Sequence, residues 1–257
     1  MPFAICNLSI VPVRCEPSHR SEMGTQVLFG EHFEVSEIQS GWARIILAFD
    51  RYEGWIPVSN YADLDAEDFK LLNKQEICIS YDLVQIAVHD KTIISLVLGS
   101  SLPFYKDKKC RIGELEFDFD GNVKYPERLS SSNTLIENAY MYLNAPYLWG
   151  GRSPFGIDCS GFTQMVFKLS GIKLRRDAWM QSEQGQLIHL LDESRPGDLA
   201  FFDNEEGKII HTGILIGKNK IIHSSGKVRI DRIDHHGIYN EEQKKYTHNL
   251  RLIKRLG

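Results

Sequence analysis

This 257-residue sequence lacks paired cysteine spacing. Its five cysteines, Cys6, Cys15, Cys78, Cys110 and Cys159, are scattered, odd in number and never spaced C-x-x-C. That argues against a disulfide framework or a zinc ribbon and fits a reducing compartment. The sequence also lacks any run of about eighteen apolar residues, so no membrane-spanning helix is expected. Residues 1–13 have neither the basic start nor the long apolar stretch of a signal peptide, and the expected location is cytoplasmic. Basic excess is missing too. Thirty Lys and Arg stand against 34 Asp and Glu, a formal charge of -4, so neither a nucleic-acid nor an anionic-membrane surface is expected. What remains is ordinary globular material, 42% hydrophobic and 25% charged, with length for two or three domains.

The most informative stretch runs from Tyr147 to Leu169. Tyr147-Leu148-Trp149-Gly150-Gly151 leads through a short loop to Asp158-Cys159-Ser160-Gly161-Phe162. Phe162, Met165, Val166 and Leu169 then follow the helical i, i+3, i+4, i+7 spacing, and Gly171 signals the helix end. Cys159 therefore falls in the first turn of a core helix, where the dipole favours a thiolate. A lone cysteine is more often a small inert core residue. Polar Asp158 and Ser160 are poor company for that use, and the glycines let backbone or ligand come close.

Before this stretch the chain reads as β structure. Short apolar or alternating runs at 9–14, 26–29, 33–38, 42–48 and 54–58, separated by tight turns, suggest a small barrel. Trp42 and Trp55 are expected as core aromatics. Glu31 and Tyr52, between strands, are better placed to touch something outside the barrel. Residues 61–75 read as an acidic linker with apolar residues enough for a short helix. Strand candidates at 77–80, 83–88, 92–98, 102–105 and 115–119 suggest a second small barrel over 76–128. Lys106, Lys108, Lys109 and Arg111 are expected in a solvated loop.

From 129 to 257 the pattern becomes α+β. Thr134 and Glu137 have capping-box spacing, and a weaker helix is expected at 177–184. Strands follow at 198–202, 209–216, 221–224, 228–230 and 250–254. His211 opens one of these and His223 ends the next, so a tight turn brings them side by side. A cysteine at a helix start facing a histidine on a sheet is the arrangement of papain-like nucleophiles. His211 would take the thiol proton, with His223 orienting its imidazole. Either histidine alone is more often structural, and a Cys/His metal site would need a compact ligand spacing that is absent. His235-His236 lies in a polar stretch and is expected to be solvated.

Tyr147-x-Trp149-Gly150-Gly151, Asp158-Cys159-Ser160-Gly161-Phe162, Arg176-Asp177-Ala178, Pro196-Gly197-Asp198-Leu199, His211-Thr212-Gly213 and His223-Ser224 together resemble the NlpC-type, papain-like cysteine peptidases that cut cell-wall peptides. The resemblance implies a Cys159–His211–His223 triad, with Tyr147 beside the nucleophile helping to hold the oxyanion. Residues 7–31 are similar to the first bacterial SH3-like domain of one subgroup, the γ-D-glutamyl-L-diamino acid endopeptidases, also called dipeptidyl-peptidase VI. The implied architecture is a papain-like α+β catalytic domain (129–257) after two all-β SH3-like barrels (1–60 and 76–128).

In that subgroup a Glu and a Tyr of the first SH3-like domain hold the substrate's free amine. Glu31 and Tyr52 fill those roles by resemblance, with Glu34, Glu37 and Tyr61 as neighbours of the same type. Asp158, Ser160, Asp177 and Ala178 match cleft residues that contact substrate, though related enzymes can carry Ser where Ala178 stands. The expected substrate is a small murein peptide, L-Ala-γ-D-Glu-diamino acid, with no metal or organic cofactor. Two other readings share the same residues: an acyltransferase or amidase built on the Cys/His pair, and a non-enzymatic wall-peptide-binding module.

Overall fold

The computed structural model describes residues 2–126 and 132–256. The chain divides into two compact units, Met1–Pro126 and Glu127–Gly257. Among the described residues no helix is long and apolar enough to cross a membrane.

The first unit begins with a seven-stranded antiparallel sheet, ordered Met23–Leu28, Ile10–Arg14, Glu53–Pro57, Trp42–Leu47, His32–Gln39, Phe3–Ile5, Ala62–Leu64. Side-chain alternation decides which residues form its core. Val11, Val13, Ala43, Ile45, Leu47 and Ile56 point inward. Trp42 and Trp55 sit one residue out of phase with Ala43 and Ile56 and end up half-buried on the other face. The expectation of two core tryptophans is therefore corrected by strand parity. Trp42 instead meets His19 edge-on, 4.8 Å between centroids.

Residues 61–75 are structured rather than a tether. Ala62–Leu64 pairs with Phe3–Ile5, and helix α1 spans Ala66–Lys74. Asp65 caps α1 by accepting from the Asp68 amide at 2.7 Å, and Glu67 and Asp68 lie at the positive end of its dipole. Phe69 and Leu72 of α1 join Ile5, Phe29 and Leu64 in one apolar cluster with Cys78, Leu96, Leu102, Cys110, Ile112 and Phe117. This core is common to both β parts of the unit. The second β part pairs Thr92–Val97, Val84–His89, Leu115–Asp118 and Lys109–Ile112 in one sheet, with a smaller three-stranded sheet beside it.

Lys106 and Lys108 are exposed at the turn before Lys109–Ile112, as expected, whereas Lys109 and Arg111 lie on that strand rather than in a loop. Cys110 and Ile112 face the core, and Lys109 and Arg111 alternate outward. There the cations meet carboxylates: Arg111 reaches both oxygens of Asp68 at 2.8 and 2.9 Å, and Lys109 pairs with Glu116.

The second unit packs helices α2 (Ser132–Tyr140), α3 (Cys159–Leu169) and α4 (Ala178–Ser182) with a seven-stranded sheet. Thr134 lies inside the first turn of α2, two residues past Ser132, so it is not the cap that its spacing from Glu137 suggests. The sheet order is Gln186–Ile188, Lys245–Arg255, Leu199–Asp203, Ile209–Gly217, Lys220–Ser225, Lys227–Asp234, Gly237–Asn240. Lys245–Arg255 also pairs with Gly237–Asn240, which closes six strands into a barrel. Ala200, Phe202, Leu215, Ile221, Ile233, Ile238 and Ile253 cluster on one face of this sheet. Helix α3 packs on Ile209–Gly217 and Lys220–Ser225 and is buried all round, Gln164 and Lys168 included. Sequence periodicity marks one apolar stripe; of the buried polar side chains on the other faces, Gln164 donates through Nε2 to the Leu174 carbonyl at 3.1 Å.

Candidate active site

The start of α3 is built around Asp158. As N-cap it accepts from the Gly161 amide at 2.6 Å, and its other oxygen accepts from the Gly150 amide at 2.8 Å. The Gly-Gly turn is thereby fastened to the helix start. Gly161 permits the close fit, since a Cβ there would fall 2.3 Å from the Gly151 carbonyl oxygen. Arg176 closes the assembly, donating to both Asp158 oxygens at 3.0 and 2.6 Å and to Ser160 Oγ at 2.9 Å. This ion pair is buried, with side chains 1% and 9% exposed.

The consequence for two predicted site residues is direct. Asp158 and Ser160 were expected to contact substrate, but their side chains are each committed inside the protein. Asp158 is an internal counter-ion and helix cap rather than an open carboxylate awaiting an ammonium group. Asp177 is the half-buried N-cap residue of α4, and Ala178 is the buried first residue of that helix. Gln181 ties α4 to α3, donating to the Ser160 carbonyl and accepting from Thr163 Oγ1.

Cys159 is the first residue of α3 and is 8% exposed. Its sulfur accepts hydrogen bonds from the amides of Thr212 and Ser160. Thr212 directly follows His211, so the nucleophile candidate lies at the strand that carries the base candidate. Burial works against the dipole-favoured thiolate expected from sequence. Burial, then the negative charge of Asp158, push the thiol up to about 12, and the two amides only partly offset this. Tyr147 is 37% exposed and is anchored through its amide to the Gly226 carbonyl at 3.0 Å. Burial, then the neighbouring Cys159, push its phenol up to about 12, so the hydroxyl keeps its proton and can donate.

His211 and His223 come together as their strands predict. His211 Nε2 and His223 Nδ1 are 2.8 Å apart, and both rings are buried. Burial holds His211 well below the ordinary imidazole value, helped by the facing His223 and His248. Burial also lowers His223, although the adjacent Asp231 pulls the other way. Burial thus favours the neutral form of both rings.

Three further residues complete the cluster and were not singled out from sequence. Asp231 Oδ2 lies 2.9 Å from His223 Nε2. Arg229 donates to both Asp231 oxygens, at 2.7 and 3.0 Å. His248 stacks on His211, 4.1 Å between centroids and 27° between planes. Burial brings His248 down to about 4. The expected strand 228–230 stopped one residue short of Asp231; the observed strand runs Lys227–Asp234 and puts Asp231 on the face of Ile233 and its partner Ile221. A carboxylate in an inward phase of a strand was the available signal. His235 and His236 are exposed, as expected.

In the first unit, Glu31 is 5% exposed and its Oε2 accepts from the Leu28 amide at 3.0 Å. Tyr52 is half-buried against the first barrel's core, its hydroxyl over Gly24.

Residues 144–251 match the NlpC/P60 family, and residues 13–60 match the bacterial dipeptidyl-peptidase SH3 domain. The γ-D-glutamyl-L-lysine dipeptidyl-peptidase of Bacillus subtilis (strain 168) is 30% identical over 214 residues, 78% of this chain and 71% of that protein. Dipeptidyl-peptidase 6 of Lysinibacillus sphaericus is 25% identical over 254 residues, 88% of this chain and 90% of its own. The crystal structure of an NlpC/P60 family protein from Bacillus cereus ATCC 10987 superposes with a TM-score of 0.81 at 20% identity, covering 98% of this chain and 99% of that one. By its motifs, its fold and its relatives, the chain belongs to the NlpC/P60 family of cysteine peptidases.

Proposed function

We propose that this enzyme hydrolyses the amide between γ-D-Glu and the diamino acid of murein-derived peptides that carry a free N-terminal L-Ala. The observation that carries the reading is the buried His211–His223 couple, at 2.8 Å, on a strand whose Thr212 amide bonds the sulfur of Cys159 at a capped helix start. The names of the relatives supply the bond type.

In this mechanism Cys159 Sγ attacks the γ-carbonyl carbon while its proton passes to His211. The carbonyl oxygen becomes an oxyanion, held by amides at the helix start and by the Tyr147 hydroxyl. A single donor of that kind contributes about 3 kcal/mol in other hydrolases. His211 then gives the proton to the leaving amine, and the acyl group remains on sulfur as a thioester. Water, deprotonated by His211, hydrolyses the thioester and restores the thiol. Asp177 and Ala178 are proposed to line the cleft, with any contact from Ala178 made through its backbone. Glu31 and Tyr52 are the candidates for binding the substrate amine.

The proposal extends to cellular role. None of the five cysteines forms a disulfide, which suits a reducing compartment, and wall fragments taken up for recycling are a peptide pool that could be met there. Mass spectrometry of products from synthetic L-Ala-γ-D-Glu-L-Lys tests the bond assignment. L-Ala-γ-D-Glu plus free lysine is the expected outcome; cleavage at Ala–Glu, or an intact peptide, would refute it.

A further inference from the structure

We propose that Asp231 is a fourth member of the relay, a positioning residue that fixes the protons on both imidazoles. It deepens the catalytic reading of Cys159, His211 and His223 given above and rests on it.

Asp231 is buried, on the strand next to that of His223. Burial raises its carboxyl, but bonds from His223 and Arg229 outweigh this and hold it below its ordinary value. It is therefore ionised and can only accept. Arg229 supplies one hydrogen to each oxygen and is itself held by Glu242 at 3.2 Å. The hydrogen in the 2.9 Å contact between Asp231 Oδ2 and His223 Nε2 thus belongs to the histidine.

A neutral imidazole carries one ring hydrogen, so His223 Nδ1 is bare and accepts. The atom 2.8 Å from it is His211 Nε2, which must be the donor. His211 is then left with a bare Nδ1, the one ring nitrogen able to take the proton from Cys159. Reversing the hydrogen on any one ring would put the His211 hydrogen on Nδ1 and leave no base for the thiol. Asp231 sets the direction of the whole chain because it is the one member that cannot donate.

Two measurements test this. Nitrogen-15 NMR of histidine-labelled wild-type enzyme near neutral pH should show hydrogen on Nε2 and none on Nδ1 for both His211 and His223. Hydrogen on His211 Nδ1 would overturn the proposal without any variant. Asp231→Asn removes the acceptor-only end, since an amide can turn its NH2 toward His223. The expected result is mixed tautomers at both rings and a kcat loss of roughly 30- to 1,000-fold with KM little changed. Wild-type kcat in Asp231→Asn, alongside an inactive Cys159→Ala, would sink the relay but leave the catalytic triad standing. Turnover by Cys159→Ala would sink the triad itself. Should Asp231→Asn fail to fold, the wild-type spectrum decides.

Discussion

His211 and His223 touch although they are not cross-strand partners. The residue opposite His223 is Gly213, two positions along the strand from His211. A Cβ on residue 213 would lie 2.7 Å from His223 Cβ and 2.8 Å from Ile221 Cδ1. The absent side chain lets the His223 ring lean across to His211, which gives the His-Thr-Gly sequence a physical meaning.

Gly213→Ala should therefore push His223 off its 2.8 Å contact. Overpacking of this kind costs about 1–3 kcal/mol of stability, readable in urea unfolding. The activity loss should be larger than the unfolded fraction explains, at least about ten-fold in kcat, because a misplacement near 1 Å suffices for such losses. A variant with wild-type kcat would show that the couple tolerates the shift.

The pH behaviour follows from a neutral resting pair. Neutral His211 is the competent base, and its value lies well below 6.5, so activity should persist at acidities that protonate a free imidazole. The thiol is pushed up to about 12, so its thiolate fraction rises with pH through the neutral range. Alkylation of Cys159 by iodoacetamide should accelerate roughly ten-fold per pH unit between about pH 6 and 9, since only the thiolate reacts. A rate that is flat across that range would reveal a preformed thiolate–imidazolium pair instead.

Arg176→Met leaves Asp158 as a buried charge with its principal partner gone. Breaking such a pair from one side costs about 3–5 kcal/mol, which chemical denaturation should register. Because Asp158 also caps α3 beside Cys159, the folded fraction should lose activity too. Unfolding free energy within about 0.5 kcal/mol of wild type would mean that water reaches the site and screens the charge.

Under the proposed function, Glu31 is the candidate for holding the substrate's free amine. The free tripeptide should be preferred over its N-acetyl form by roughly 30- to 1,000-fold in kcat/KM, the range for losing one charge-assisted contact. Glu31→Gln keeps an acceptor for the Leu28 amide while removing the charge, so it should fold and lose the preference. Undiminished discrimination in that variant would shift the role to another acidic residue.

Much of the fold is legible in the sequence because alternation and helical spacing are local. Five strands of the first sheet and the nucleophile helix could be placed to within a few residues, while the short strands Phe3–Ile5 and Ala62–Leu64 were missed. The errors have local causes as well. Trp42 and Trp55 were read by size, but parity with Ala43 and Ile56 decided their face. Lys109–Ile112 was read by charge, though its alternate residues, Cys110 and Ile112, are apolar. At the site, residue type and strand order brought out Cys159, His211 and His223. Asp231 and Arg176 were invisible as partners because their roles depend on contacts 8 and 18 residues away in the chain, across a strand pair and under a helix start. The raised thiol was equally hidden, since burial is a property of the packed structure and the dipole argument sees only the helix.

The central claim is that Cys159 carries the acyl group during turnover. Rapid acid quench of wild-type enzyme with L-Ala-γ-D-Glu-L-Lys, followed by intact-mass and peptide mapping, reads this directly. The account predicts one L-Ala-γ-D-Glu acyl group on Cys159, formed before steady state, and no adduct and no turnover in Cys159→Ala. Turnover by Cys159→Ala, or an acyl group mapped to another residue, would contradict it.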